Sequence, residues 1–351
     1  MASFLFYVWV AAVSAALTDL AQKRDDKRLL MAPVVILTLI VGLRGAEVGV
    51  DTSRYIWVFD RCMEVGVSFI KRDHLYYYLS VALMFVFRTA YAPLIATAFA
   101  TFFLMVYRLW DFRRCGNLGV AVWIMVLYYM GYTMNGSRQL LAVAIVFYFS
   151  RYLEEKKIGK YMLGALLASL MHLSAVVVVV LPVFYIGLKK QYDLTEKVYL
   201  AISAVGALAM AVLLAVVYSG YLQSSGTMEI GTMTVVRLLL MIGTYAVWRF
   251  LATKTTELPD NETAHLFNLM FAITLFGCLM SFGNVVVDSA GRMGYFFRFF
   301  ETVMFAMVLK REVSDRMGRV LQVGILLVVS VLGFYYLYSY NGIIPYQTVF
   351  F

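Results

Sequence analysis

Cysteine, histidine and charge are all scarce in this sequence, and each shortage excludes a class of protein. The three cysteines, Cys62, Cys115 and Cys278, stand too far apart for a disulfide framework or a paired metal motif. Histidine also occurs only three times, which argues against a zinc site, and no metal is expected. Charged residues make up 15% of the 351 residues, far fewer than the surface of a water-soluble domain requires.

Several catalytic motifs are missing as well. The sequence has no Asp-x-Asp pair for a metal-bound diphosphate, no glycine-rich phosphate loop and no serine nucleophile elbow. We therefore expect no cofactor, and any phosphate must be bound by arginine. The net charge of +9 would suit nucleic acid. Basic loops that orient membrane spans explain it more simply, so no nucleic-acid partner is expected.

Long apolar runs are what the sequence has in abundance. It is 62% hydrophobic with a mean hydropathy of +0.80. Eleven runs have roughly the 15–21 residues that a bilayer requires, and a twelfth, Tyr161–Gly187, is longer than one span needs. This pattern predicts an all-α, polytopic integral membrane protein with about 12 transmembrane helices plus broken or re-entrant segments, forming one domain over residues 1–351. The runs are Met1–Thr18, Leu29–Leu43, Leu75–Tyr91, Pro93–Leu109, Leu118–Met134, Gln139–Leu153, Tyr161–Gly187, Val198–Tyr218, Met233–Leu251, Ala264–Phe282, Met293–Leu309 and Val320–Tyr340.

The basic residues predict the orientation of these runs. Simple alternation divides Lys and Arg evenly between the two sides, which conflicts with the positive-inside rule. The conflict disappears if Tyr55–Ile70 crosses or dips through the membrane and Tyr161–Gly187 turns back near His172. Every lysine, including Lys71, then faces the cytoplasm, and every basic residue outside is arginine. Arginine grips phosphate with a planar fork of donors, although arginines near span ends also snorkel to headgroups.

A polar loop with two glycines follows the second run. It reads LRGAEVGVDTSRY, from Leu43 to Tyr55, and carries Arg44, Asp51 and Arg54. These residues form either a substrate-binding loop at the outer surface or an ordinary solvated loop with an internal ion pair.

The stretch NGSRQLLA, from Asn135 to Ala142, combines a turn signal with the start of a helix. Ser137 is predicted to cap that helix. Arg138 would then stand at the positive end of the helix dipole, which is locally unfavourable. A bound anion would remove the conflict, because the free N–H groups and the guanidinium would both face it. The alternative is a simple cap without a ligand.

Two further polar features interrupt apolar runs. His172 lies within ASLMHLSA, where an imidazole requires a polar partner or a cavity. It is either a general base or a packing residue that ties two helices together. The stretch GRMGYFFRFFE carries Arg292, Arg298 and Glu301 into a later run. Arg298 and Glu301 stand three residues apart and would neutralise each other on one helix.

Three of these patches resemble one family of membrane enzymes. Arg44 followed by GVDTSRY, the stretch NGSRQLLAVAIVFYFSRYLEEKKIGKYMLGALLASLMHLSA and the late GRMGYFF are similar to motifs of the Wzy-type polysaccharide polymerases, in the EpsG-like branch. The resemblance implies a GT-C-like enzyme of the bacterial cytoplasmic membrane that works at its outer face without nucleotide sugar. The implied reaction moves a growing glycan from undecaprenyl diphosphate onto an incoming lipid-linked repeat unit.

The residues fit that chemistry in three roles. His172 or Asp51 would be the base or orient the acceptor, with Arg138 as a further catalytic residue. The diphosphate would be bound by arginine and the substrate positioned by neighbouring polar and aromatic side chains. The diphosphate-binding set is Arg44, Arg138, Arg292 and Arg298, and the positioning set is Tyr55, Asn135, Gln139 and Tyr295. The implied partners are undecaprenyl-diphosphate-linked oligosaccharides, membrane lipids, a chain-length regulator and a flippase.

Two other classes of function stay open. A transporter or flippase of lipid-linked oligosaccharide would also use external arginines and broken helices, although the sequence has no internal repeat. A non-catalytic membrane scaffold explains neither the arginine-only outer side nor the histidine within an apolar run.

Overall fold

A computed structural model describes residues 2–70, 72–189, 232–253, 261–282, 290–313, 315–339 and 342–350. The regular structure of these residues is helical, which confirms the predicted all-α class. The predicted run Val198–Tyr218 lies outside the described residues. The α-helices are α1 Ala2–Lys23, α2 Met31–Gly42, α3 Thr52–Val65, α4 His74–Phe87, α5 Tyr91–Leu109, α6 Leu118–Asn135, α7 Ser137–Phe149, α8 Arg151–Glu154, α9 Ile158–Met171, α10 Leu181–Lys189, α11 Thr232–Ala252, α12 Asn261–Phe282, α13 Ala290–Arg298, α14 Glu301–Lys310 and α15 Arg316–Ser339.

Six of the described helices are long and apolar enough to cross a membrane, namely α1, α5, α6, α11, α12 and α15. Shorter apolar helices accompany them, and 3₁₀ turns cover Lys27–Leu30, Trp110–Phe112 and Leu173–Val180. The coarse prediction of a multi-pass membrane protein is therefore confirmed. The number of about twelve spans and the GT-C-like architecture stay predictions.

The chain divides into two compact units. Residues 1–176 and 327–351 form the first, and residues 177–326 form the second. The sequence offered no boundary for this division, and the single-domain prediction stays untested.

Helix α6 is the centre of the first unit, where nearly all of its residues are buried. Close approach to its neighbours depends on glycine. Gly119 lets α6 approach the backbone of α1, and Gly333 of α15 lies against Leu127. The indole nitrogen of Trp123 donates to Ser330 Oγ at 2.9 Å, which ties α6 to the second half of α15. Such polar contacts between apolar helices fix their register.

Helices α2, α5, α7 and α9 pack in succession beside α6. Gly42 lets α2 meet Ile95 of α5, and Gly164 lets α9 meet the ring of Phe149 from α7. On the opposite face of α9, Leu163 and Leu166 are exposed. Exposed leucines on an apolar helix are typical of contact with lipid.

Helix α3 does not carry the chain to the other side, contrary to the prediction for Tyr55–Ile70. Tyr55, near its start, and Asp73, after its end, both contact Arg138 of α7. Stacking of Phe59 against Tyr76 and Tyr77 holds α3 along the start of α4.

Arg72 and Asp73 therefore lie on the Arg138 side of the first unit. The assignment of the Lys71 and Arg72 pair to the opposite, cytoplasmic side is wrong for Arg72, while Lys71 itself lies outside the described residues. The physical reason is that α3 is amphipathic and packs its aromatic face on α4. It therefore buries these apolar residues without crossing the membrane.

The second unit is held together by aromatic stacking and a glycine contact. The rings of Trp248 in α11 and Phe267 in α12 stack with centroids 4.0 Å apart. Helices α12 and α13 approach closely, since a Cβ at Gly294 would lie 2.6 Å from the carbonyl oxygen of Gly277. Larger residues at either position would separate the two helices.

Candidate functional site

Arg44 is fully buried in the loop after α2, and protein oxygens surround its guanidinium. Its Nε donates to Thr52 Oγ1 at 2.8 Å, its Nη2 to the carbonyl of Met134 at 3.0 Å, and its Nη1 to the carbonyl of Val41. Among the described residues it forms no ion pair. Burial without a carboxylate lowers the pKa of Arg44 to about 10, despite partial compensation by nearby tyrosines. It is still a cation at neutral pH.

The end of the chain holds this loop in place. Gly45 N–H donates to the carbonyl of Gln347 at 2.8 Å, and Val349 N–H donates to the carbonyl of Leu43 at 2.9 Å. These bonds flank an isolated antiparallel bridge between Arg44 and Thr348. Residues 342–350 thus fix the backbone that carries Arg44.

The joint between α6 and α7 carries three of the predicted residues. Asn135 is buried against Gly49, at which a Cβ would come within 2.7 Å of its Oδ1. Gln139 is also buried and accepts a hydrogen bond from the hydroxyl of Tyr132. The predicted cap is wrong, because Ser137 Oγ donates back to the carbonyl of Thr133 at 2.7 Å. A hydroxyl inside a nearly continuous helix finds that acceptor four residues earlier.

Arg138, Asp73 and His172 form one hydrogen-bonded cluster. Asp73 Oδ2 accepts from Arg138 Nη1 at 2.7 Å and lies 3.0 Å from His172 Nδ1. Asp73 Oδ1 accepts from the backbone N–H of Leu173 at 2.9 Å. Arg138 also reaches the hydroxyl of Tyr55 at 3.4 Å. Helices α3, α4 and α7 and the break after α9 therefore meet around the carboxylate of Asp73.

The break at His172 is what allows this meeting. Helix α9 ends at Met171, and His172 has extended backbone before the 3₁₀ turn begins. The helix breaks at His172, but that Tyr161–Gly187 turns back there instead of crossing once stays a prediction, since the chain after Val176 belongs to the second unit. An interruption frees backbone N–H groups, and the one at Leu173 is satisfied by Asp73.

The cluster is closed on one side and open on the other. The side chain of Asp73 is 4% exposed, whereas those of Arg138 and His172 are 26% and 24% exposed. The positive charge of Arg138 therefore faces the opening, and the negative charge of Asp73 lies behind it. An exposed guanidinium beside an imidazole suits an anionic ligand.

The electrostatics of the cluster keep Asp73 ionised. Burial alone would raise its pKa, but hydrogen bonds from His172 and Leu173 and the charge of Arg138 outweigh burial and lower it. An ionised carboxylate can only accept hydrogen bonds, so the imidazole proton is assigned to His172 Nδ1. His172 Nε2 is then left as a hydrogen-bond acceptor.

Asp73 is a site residue that was not predicted from the sequence. A signal was available, because the requirement of His172 for a polar partner pointed to a carboxylate. Asp73 precedes the apolar run that begins at Leu75 and shares a loop with Lys71 and Arg72, for which the cytoplasmic side is predicted. Asp51, the other candidate base, is half-buried just before α3. No hydrogen bond or ion pair joins its side chain to the cluster in the described part of the chain.

The remaining predicted residues belong to the second unit. Arg292 is exposed on α13. Arg298 is buried, its Nη2 donates to the carbonyl of Gly291 at 2.9 Å, and its guanidinium lies 4.2 Å from the ring centroid of Tyr295. Their predicted binding of diphosphate is not tested by these contacts.

Glu301 does not neutralise Arg298, as had been expected. It pairs with the buried Arg237 of α11, whose Nε lies 3.0 Å from Glu301 Oε2. The cause is a helix break, because α13 ends at Arg298 and α14 begins at Glu301. Arg237 was missed, although a charge within the run Met233–Leu251 signals a partner.

Within the described ranges, no three His, Cys, Asp or Glu side chains are grouped to hold a metal ion. Comparison with known proteins gives one finding. The model of the EpsG family matches residues 27–348, nearly the whole chain, which confirms the resemblance seen in the motifs. No curated protein and no solved structure gives a match.

Proposed function

Because the chain belongs to the EpsG family, whose members are polysaccharide polymerases, we propose that it polymerises lipid-linked oligosaccharides. It transfers a growing glycan from undecaprenyl diphosphate onto a lipid-linked repeat unit at the outer face of the bacterial cytoplasmic membrane. The observation that carries this proposal is the open cluster of Arg138 and His172 around a buried carboxylate. A base and an anion-binding cation stand side by side there.

The proposed reaction needs little covalent chemistry from the protein. An acceptor hydroxyl attacks the anomeric carbon of the donor glycan, and the bond from that carbon to the diphosphate oxygen breaks. The hydroxyl proton passes to His172 Nε2, and the electron pair leaves with undecaprenyl diphosphate. Because the leaving group is already good, the protein must mainly orient the acceptor and stabilise the growing negative charge.

Arg138 is the cation best placed for the diphosphate in this proposal. Its Nε and Nη1 are engaged with Tyr55 and Asp73, but a guanidinium carries five N–H donors and a quarter of this side chain is exposed. Arg44 differs, because its side chain is buried. We infer that it holds the loop after α2 and attracts the diphosphate electrostatically without touching it. Diphosphate contact by Arg44, Arg292 and Arg298 stays a prediction, as does the positioning role of Tyr295.

Reconstitution tests the proposal. Purified protein in proteoliposomes is given undecaprenyl-diphosphate-linked repeat units, without nucleotide sugars, and the products are resolved on a gel. We expect a ladder of polymers, which vesicles without the protein do not produce. Movement of the lipid-linked units across the bilayer without new glycosidic bonds would instead establish the alternative, a flippase.

A further inference from the structure

We propose that Asp73 is a positioning residue that holds His172 in its basic tautomer and Arg138 in its anion-binding orientation. This inference rests on the proposed function for its kinetic consequences, but the geometry that it asserts can be tested without activity. Asp73 itself would not touch the substrate.

Three contacts engage both carboxylate oxygens of Asp73. Oδ2 is shared by Arg138 and His172, and Oδ1 is occupied by the N–H of Leu173. With a side chain 4% exposed, the carboxylate lies behind the two residues that face the opening. It therefore acts on the substrate only through them.

The backbone of Asp73 is also arranged for this purpose. Its φ of 58° lies in the left-handed region, which a residue with a side chain adopts at a cost. Aspartate tolerates that region better than most residues. The conformation begins α4 and directs the carboxylate towards α7 and the end of α9. Strain of this kind persists where surrounding contacts determine the geometry.

The contact with Asp73 determines which ring nitrogen of His172 carries the proton. A carboxylate accepts the proton of His172 Nδ1, so Nε2 keeps its lone pair for the acceptor hydroxyl. An amide at position 73 could instead donate to Nδ1, and the imidazole proton would move to Nε2. An imidazole protonated at Nε2 cannot accept the hydroxyl proton. Other titratable groups that face this pair are Arg138 from α7, Tyr55 from α3 and Tyr77 from α4.

Asp73→Asn is the direct variant, measured in proteoliposomes. We expect normal insertion and binding of lipid-linked repeat units, with a polymerisation rate lower by on the order of 10²–10⁴-fold. The imidazole proton of His172 should move from Nδ1 to Nε2 in this variant. Asp73→Glu keeps the charge and should recover part of the rate.

A matched control exists at the other end of the same unit. Asp111 also pairs with an arginine, Arg108, but has no histidine beside it. Asp111→Asn should leave the polymerisation rate per folded molecule and the tautomer of His172 unchanged. If Asp73→Asn behaves like this control, with a normal rate per folded molecule, the inference is overturned while the proposed function stands.

A spectroscopic measurement tests the inference even if the variant misfolds or the wild type is inactive. Nuclear magnetic resonance of ¹⁵N-histidine in the wild-type protein, assigned with His74→Gln and His265→Gln variants, reports the tautomer of His172. We expect the proton on Nδ1 at neutral pH. A proton on Nε2 would overturn the role of Asp73, whatever the activity. If the wild type makes no polymer but shows the expected tautomer, only the proposed function fails.

Discussion

Arginine anchors two networks in the first unit, one at each end of helices α5 and α7. At the end of α5, Arg108 is fully buried and pairs with Asp111 at 2.8 Å and with Glu154. Arg151 adds a second cation 3.4 Å from Asp111. The guanidinium of Arg108 has no exposed surface, whereas the side chains of Asp111 and Glu154 are about a third exposed. This network buries its central cation and exposes its carboxylates.

The network at the start of α7 has the opposite arrangement. Its carboxylate, Asp73, is 4% exposed, whereas Arg138 and His172 are about a quarter exposed. A buried guanidinium paired with carboxylates fixes helices, since breaking the pair leaves a buried charge without compensation. An exposed guanidinium and imidazole in front of a buried carboxylate are able to receive an anion. The sign of the exposed charge, more than residue type, distinguishes the two networks.

The largest effect on function is expected at His172. His172→Ala should insert and bind lipid-linked repeat units but polymerise on the order of 10²–10⁴-fold more slowly, because a general base typically contributes that much. Polymer ladders from equal amounts of folded protein give the rate. His172→Gln keeps hydrogen bonding but accepts no proton at neutral pH. Near-normal growth by the glutamine variant would reduce His172 to an orienting residue and make Asp51 the leading base.

A smaller effect on polymerisation is expected at Arg138, and the same substitution at Arg108 should affect stability instead. Arg138→Lys keeps the charge but loses the planar fork, so polymerisation should fall about tenfold to a hundredfold, as for a hydrogen bond to a charged group worth roughly 1.5–3 kcal/mol. Arg108→Lys should lower the free energy of unfolding by about the same 1.5–3 kcal/mol and leave the rate per folded molecule unchanged. Equal losses of activity in both variants would erase the distinction between the networks.

The sequence predicted the long helices well, because each is a single apolar run. The run Leu118–Met134 corresponds to α6 at Leu118–Asn135, and Pro93–Leu109 to α5 at Tyr91–Leu109. The prediction that segment 55–70 crosses or dips through the membrane failed, because α3 has too little apolar character to span a bilayer. Its packing against Tyr76 and Tyr77 depends on tertiary contacts that a charge count does not contain.

Prediction of the site also failed where the site depends on tertiary contacts. Arg138 and His172 could be named from local conflicts, a cation at a helix start and an imidazole in an apolar run. Asp73 cannot be joined to them if Tyr55–Ile70 crosses or dips through the membrane, as predicted. The pairing of Arg237 with Glu301 was hidden by the break between α13 and α14, which no proline marks.

The smallest effect is expected from cysteines that report the side of each network. Arg72→Cys and Lys156→Cys, in a background lacking Cys62, Cys115 and Cys278, should both polymerise normally, because positions 72 and 156 are exposed and stand outside the cluster. In intact cells with a permeable outer envelope, a membrane-impermeant thiol reagent should label position 72 and spare position 156. Disruption of the membrane should then expose position 156, which confirms that its cysteine is reactive. Labelling of both positions in intact cells would place the Arg108 and the Arg138 networks on the same side of the membrane. The comparison would then concern two external networks, and the orientation of the lysine-rich loops would have to be reversed for α8 and α9.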